Sequence, residues 1–473
     1  MPSNIEPQPA EKTLLQTLGP GLITGAAGDD PSGIATYSQV GAQFGFGMLW
    51  TMLFTFPLMA AIQEISARLG RITGVGITRS LQQRFPPGFV YSVVFLVCVA
   101  NTFNLAADLA AMGSAAALIL RGSPILYVIL FGSFSLLLQV FVPYRKYVRY
   151  LRWLTLALFA YVATVFVIHV PWSKVLRGAF LPSLSWDNEY WMALVAVLGT
   201  TISPYLFFWQ TSQEVEEVRL NPQEQPLKRK PSQAWSQFRR IAMDTRVGMA
   251  FSNIVAFAII LTTAVTLHES AGPKSIQSAA DAAAALRPIA GHFAFGLFAL
   301  GIIGTGLLAI PVLAGSTAYA IAEVFHWRAS LESKPARAPR FYAVIAAATL
   351  LGIGFNFGGI DAMRALYWSA VLNGLTAFPI MNAVMRLSGD VKVVGQFRLP
   401  TGLRWLGWIA TCVMLAASIA FFTSLLFPKY QIGTTMQEMN SSYTAFYPSK
   451  PRQKEDTFSS LRRTYASIRK GGK

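Results

Sequence analysis

The segment Gly25-Ala-Ala-Gly-Asp-Asp-Pro-Ser-Gly33 sits inside an otherwise apolar stretch that runs from about residue 17 to 43. Two carboxylates and a proline at that depth are foreign to a simple spanning helix. Pro31 removes a backbone donor and crowds the preceding turn, while Gly28 and Gly33 lower the resistance to unwinding. A second segment, Gly199-Thr-Thr-Ile-Ser-Pro-Tyr205, places Pro204 and flanking hydroxyls in the middle of the apolar run 190–211. Either proline alone reads as an ordinary kink. Beside Asp29 and Asp30, however, the pair reads as two helices broken around a site, since an ionisable residue within a span is expensive and marks function.

The rest of the chain supplies the membrane context. Of 473 residues, 53% are apolar and only 13% charged, against about 25% charged in soluble domains, and the mean hydropathy is +0.44. Apolar stretches near the roughly 20-residue length of a spanning helix recur at 17–43, 47–68, 90–119, 124–143, 151–170, 190–211, 247–267, 292–325, 341–358, 363–386 and 403–427. The expected fold is an all-α integral membrane protein of about 11 transmembrane helices. Breaks in the first and sixth imply an inverted five-plus-five repeat, the leucine-transporter-like arrangement, with a site at the midplane. Freed carbonyls, the negative ends of half-helices and a carboxylate together suit a cation.

Three segments follow: 1–16, 17–427 as the transmembrane transporter domain, and a basic, flexible tail at 428–473. The start MPSNIEPQPAEKT lacks the basic region and cleavage site of a secretory signal, so it is expected to be retained. The net charge of +17 reflects the positive-inside rule rather than nucleic-acid binding. Arg68, Arg71, Arg79 and Arg84 follow the second span, Arg145, Lys146, Arg149 and Arg152 the fourth, and Lys228 to Arg240 the sixth; the series continues after the eighth and tenth. The N-terminus is therefore expected in the cytoplasm, in a bacterial inner membrane. Eleven spans then put the basic tail outside, so either a span is miscounted or the tail departs from a rule that weakens for long terminal segments. Cys98 and Cys412 lie in apolar runs and read as small buried hydrophobes.

These residues resemble the Nramp metal transporters. Gly19-Pro-Gly-Leu-Ile-Thr-Gly25 with Asp30-Pro-Ser-Gly33 is similar to the family's first helix, Ala67-Arg-Leu-Gly-Arg-Ile-Thr-Gly74 to the end of its second, and Ala107-Asp-Leu-Ala110 to its third. The similarity continues through 309–323 and 367–379. It implies alternating-access transport of a divalent cation, with the metal as cargo, no cofactor, and no enzyme activity. Metal ligands carried over are Asp30 as the charged ligand, Gly33 and Ser203 where the family has Asn and Met, Thr200 where it offers a backbone carbonyl, and Asn373 one turn from Ala370 at a family glutamine.

The departures fall at the site. Without the thioether, hydroxyl, carbonyl and carboxylate oxygens favour Mg²⁺ or Mn²⁺, and smaller side chains leave room for a hydrated ion, as in the divergent Nramp-related branch. Tyr205 and Gln210 stand where the family has titrating histidines, and Asp108 keeps its place while its acidic partner is Ala111. Asp108, Tyr205 and Asp29 are proton-handling or supporting candidates, and a passive or weakly coupled carrier is the expectation.

Other polar groups read more simply. His169, His268, His292 and His326 lie near span ends and suit interfacial hydrogen bonds. Glu214 and Glu217 share a helix face, which suits either an acidic cytoplasmic mouth or a solvated helix end. Arg364 suits an ion pair or a snorkelling role, and Glu64 and Glu323 a structural one. No phosphate-binding loop, nucleophile elbow or zinc spacing is present. Three alternatives remain: a typical proton-coupled transition-metal importer, an organic-solute carrier disfavoured by Asp30, and a protein of this fold that senses or binds without transporting.

Overall fold

The computed structural model describes residues 24–427 other than 26, 145, 147–153, 274 and 360. The segments expected at 1–16 and 428–473 lie outside the described residues, as do Arg145, Arg149 and Arg152.

Helix occupies every expected span. Eight helices among the described residues are long and apolar enough to cross a membrane. Pro31–Met48 and Trp50–Thr73 pass the same test together with a 108° bend between them, and the shorter apolar helix Leu156–Val167 takes the fifth position. The labels used below are α1 (Pro31–Phe44), α2 (Trp50–Thr73), α3 (Pro87–Leu120), α4 (Pro124–Phe141), α5 (Phe159–Val167), α6 (Asn188–Thr201), α7 (Pro204–Leu220), α8 (Ala234–Thr263), α9 (Ala294–Val324), α10 (Pro339–Phe355), α11 (Ala362–Gly389) and α12 (Thr401–Leu426). The first span is thus helical at Thr24, Gly25, Ala27 and Gly28, open at Asp29 and Asp30, and resumed by α1; the sixth is α6 plus α7, open at Ile202 and Ser203.

Packing follows the repeat. The first span packs on the seventh (α8), and the second (α2) on the sixth (α7) and the seventh. In the other group, the third (α3) packs on the fourth, eighth and ninth (α4, α9, α10), with α4 on α10 and α9 on α10. Spans 1, 2, 6 and 7 thus group around α1 and α2, and 3, 4, 8 and 9 around α3, the grouping a five-plus-five repeat predicts, with α7 also packed on α9. α11 bridges them, touching α1, α3 and α6.

Small residues permit the closest approaches, as is usual between helices in lipid. A Cβ on Gly25 would lie 2.2 Å from the carbonyl oxygen of Gly248, and one on Gly199 would lie 2.0 Å from that of Ala370. The sixth span is central, with 89% of its apolar window buried, whereas α4 is peripheral at 22%. Large apolar side chains such as Phe95, Leu130, Leu350 and Phe422 face outward, a surface that only lipid solvates well. Cys412 also lies on the exposed side of α12, correcting the expectation that it is buried.

Candidate functional site

The two breaks are built alike. Pro31 and Pro204 are each the first residue of a resumed half-helix, a position where a missing N–H costs nothing and the fixed φ suits the helix. The prolines therefore start the second halves rather than kinking continuous helices, and Asp30 and Ser203 become the N-cap residues. The caps then diverge. Asp30 accepts from the backbone N–H of Gly33 at 2.8 Å, as an N-cap should. The Ser203 hydroxyl instead turns back to the end of α6, 2.6 Å from the carbonyl oxygen of Gly199 and 2.9 Å from that of Thr200.

Asp30 is 1% exposed and saturated with donors. Its Oδ1 accepts from Ser32 Oγ at 2.6 Å and from the Gly33 amide. Its Oδ2 accepts from Asn104 Nδ2 at 3.0 Å and from the Tyr205 hydroxyl at 3.1 Å. Asn104 Oδ1 in turn accepts from Ser369 Oγ at 2.8 Å, so one chain of hydrogen bonds joins α1, α3, α7 and α11. Asp29 faces the other way: Ser252 on α8 donates to its Oδ1 at 2.7 Å, and Oδ2 has no hydrogen-bond partner among the described residues.

Asp108, one turn beyond Asn104 on α3, is fully buried with no side-chain hydrogen-bond partner among the described residues. The carboxylate of Asp30 and the backbone amide of Ser32 are its electrostatic neighbours. Three carboxylates thus gather at the first break, and no Lys, Arg or His forms an ion pair with any of them among the described residues.

The remaining candidates surround them. The Thr200 hydroxyl lies 3.2 Å from the Tyr37 hydroxyl. Tyr37 comes up beside Gly33, where a Cβ would meet its ring at 3.3 Å. Space beside Gly33 is therefore bounded by the Tyr37 ring. Asn373 is 1% exposed and its Oδ1 has no hydrogen-bond partner among the described residues, leaving an acceptor available. Gln210 accepts from Thr24 Oγ1, tying the first half of the first span to α7. No group of three or more His, Cys, Asp or Glu side chains is placed to hold a metal among the described residues.

Cavities approach from both ends without including these residues. One of about 560 Å³, at the end carrying the loops after spans 2, 6 and 8, is lined by Glu216, Arg219, Tyr319 and Glu323. One of about 550 Å³, at the opposite end, is lined by Gln39, Gln43, Glu189, Arg364 and Tyr367. Glu214 and Glu217 do share a face, but it is turned to arginine: Arg240 meets Glu214 at 2.5 Å and Glu217 at 3.4 Å, while Arg71 lies 4.0 Å from Glu214. The carboxylates on the cavity wall are Glu216 and Glu323.

The sequence reading missed Asn104, Ser369, Ser32, Tyr37 and Ser252. Its best available signal was on α3, where Asn101, Asn104 and Asp108 recur at helical spacing in an apolar run.

Comparison with known proteins shows the family and the fold. The family described as "Natural resistance-associated macrophage protein-like", Nramp, matches residues 21–424. The chain belongs to the Nramp family. Among solved structures, a manganese transporter of Eremococcus coleocola in complex with an aromatic bis-isothiourea substituted compound is 17% identical, with 93% of each chain covered and a TM-score of 0.67. A nucleobase-cation-symport-1 family transporter in a closed conformation is 13% identical over 89% of this chain and 95% of that one, with a TM-score of 0.51. A Na⁺-coupled sialic acid symporter is 12% identical over 87% and 90%, at 0.53. The five-plus-five arrangement is thus shared with carriers of quite different cargo. As an Nramp protein the chain is a membrane transporter of divalent metals and not an enzyme, and metal is its cargo rather than a cofactor.

Proposed function

We propose that the chain carries a hard divalent cation, Mg²⁺ or Mn²⁺, by alternating access and without obligatory proton movement. The observation that supports this most directly is that Asp29, Asp30 and Asp108 are buried at the first break with no cationic side chain paired to them among the described residues. Uncompensated carboxylates at that depth are costly, and a passing cation offsets the cost. Asp30 is the charged ligand; Ser203, the Thr200 carbonyl, the backbone at Gly33 and Asn373 supply neutral oxygen. Oxygen without sulfur suits hard ions, and the manganese cargo named for the Eremococcus coleocola protein supports a divalent one. Tyr205 and Gln210 do not titrate near neutral pH, leaving Asp108 and Asp29 as the groups able to take a proton. The basic loops after even-numbered spans support a cytoplasmic N-terminus in a bacterial inner membrane.

The test is uptake into liposomes carrying a lumenal pH dye. Mg²⁺ or Mn²⁺ should enter with little lumenal acidification, Cd²⁺ should compete weakly, and Asp30→Ala should abolish flux while the protein still folds. Stoichiometric acidification with strong Cd²⁺ competition would favour a typical proton-coupled transition-metal importer. Saturation of Asp30 by four donors favours a second reading, a binding protein that does not transport; metal binding without flux in the wild type would select it.

A further inference from the structure

We propose that the chain holds an anionic phospholipid by its phosphate headgroup in a lateral pocket at the end carrying the loop after the tenth span. The pocket, of about 1000 Å³, is bounded by Arg84, Arg386, Lys392 and Arg404, with Trp405 and Trp408 in its wall. Arg84 pairs with Asp390 at 2.7 Å, yet its side chain is still 60% exposed. Arg386, Lys392 and Arg404 have no ion-pair partner among the described residues. Four cations therefore face one carboxylate around a space far larger than a single phosphate.

Free phosphate would use the same cations, but the walls select a lipid. Trp405, Ile409 and Val413 follow one another at four-residue steps down the outside of α12 and are 61%, 45% and 37% exposed, an apolar track leading from the pocket along the spanning helix. Tryptophan at the start of a span belongs to the membrane interface. Basic pockets between spanning helices on the positively charged side suit phosphate headgroups. A glycerophospholipid would place its phosphate among Arg386, Lys392 and Arg404 and an acyl chain on the α12 track. The pocket shares no residue with the cation site around Asp30.

The experiment uses the full chain in phosphatidylcholine nanodiscs doped with brominated phosphatidylglycerol or, separately, brominated phosphatidylcholine. Quenching at the pocket is taken as the difference between wild type and the Trp405→Phe/Trp408→Phe variant. The brominated anionic lipid should quench this component more strongly at equal mole fraction, and Arg386→Gln or Arg404→Gln should each reduce the preference roughly fivefold. Equal quenching by both lipids, or an unchanged preference in the Arg386→Gln/Arg404→Gln double variant, would overturn the proposal. Reversal by inorganic phosphate beyond that of chloride at equal ionic strength would assign the cations to a soluble anion instead. Native mass spectrometry of the wild type gives a readout free of variant folding: retained phosphatidylglycerol is expected, and its absence counts against the site.

Discussion

At the scale of the residue, Asp30 is held ready but not open. A carboxylate offers about four lone-pair positions, and Ser32, Gly33, Asn104 and Tyr205 fill them. A cation can bind only by displacing a donor. Tyr205 is the one most easily given up, because its hydroxyl lies 3.2 Å from the Ala27 carbonyl and has that acceptor to turn to. Tyr205→Phe should therefore destabilise the metal-free protein by about 1.5–3 kcal/mol, the worth of a hydrogen bond to a charged group. It should also enlarge the stabilisation by Mn²⁺, since one Oδ2 position is then vacant. Thermal unfolding with and without Mn²⁺ checks this; the same metal-induced shift in both proteins would mean that Tyr205 does not compete for the site. Asp30 was legible in the sequence because a charge in an apolar run stands out. Its donors were not, because Asn104 and Ser369 are distant in sequence and ordinary in type.

At the scale of the element, what matters is how each broken span restarts. Pro31 and Pro204 open new half-helices, leaving Asp30 and Ser203 to deal with the orphan groups between the halves. Because a proline inside a helix costs about 3 kcal/mol, Pro204 also prevents α6 and α7 from fusing. Pro204→Ala removes that barrier, and the freed amide at 204 can then join a continuous sixth helix. The carbonyls of Gly199 and Thr200 would be consumed within that helix instead of being offered at the break. Flux should fall by about tenfold or more, equivalent to at least ~1.4 kcal/mol on the barrier, with the far-UV circular dichroism amplitude unchanged or larger. Wild-type flux in a well-folded Pro204→Ala protein would show that the break at α7 is not needed for transport. The positions of the breaks were readable from Gly, Pro and Ser. The divergent caps were not, since both residues are favourable N-caps and only their surroundings separate them.

At the scale of the whole molecule, the proposed alternating access requires the two helix groups to move relative to one another so that the buried site reaches either cavity. Some polar contacts bind within a group. Arg71 on α2 meets Glu224 at 2.5 Å, and Arg240 on α8 meets Glu214 on α7 at 2.5 Å, so they unify spans 2, 6 and 7. Others cross between groups: Glu216 on α7 accepts from Tyr319 on α9 at 3.3 Å and from Ser330 at 2.9 Å, and Arg219 donates to the Ala329 carbonyl at 3.0 Å. The two classes should respond differently. Arg240→Ala leaves Glu214 buried with only Arg71 at 4.0 Å and should cost about 3 kcal/mol of stability, the lower end for removing one partner of a buried pair. Glu216→Ala should cost less but favour opening at this end; losing ~1.5 kcal/mol of closing contacts shifts the closed-to-open ratio by about tenfold. A Ser212→Cys reporter on the cavity wall, in a background lacking Cys98 and Cys412, should then react faster with an impermeant maleimide in Glu216→Ala. Equal reactivity would show that these contacts do not govern closure.

Composition and periodicity alone determined the membrane class, the succession of apolar spans and the two interrupted helices, because apolar length, prolines and charges at depth are local properties written along one dimension. The same local logic singled out Asp30. Tertiary structure alone decided what each polar group faces: that Asn104 on α3 and Tyr205 on α7 complete the donors that Ser32 and Gly33 begin around Asp30, that no side chain among the described residues donates to Asp29 Oδ2 or to Asp108, that Tyr37 lies beside Gly33, and that Glu214 is bound by arginine while Glu216 lines the cavity. Those assignments depend on helix rotation and on which span lies opposite, set by close approaches such as Gly25 on Gly248 and Gly199 on Ala370. Such contacts join residues far apart in the chain, and no local pattern encodes them.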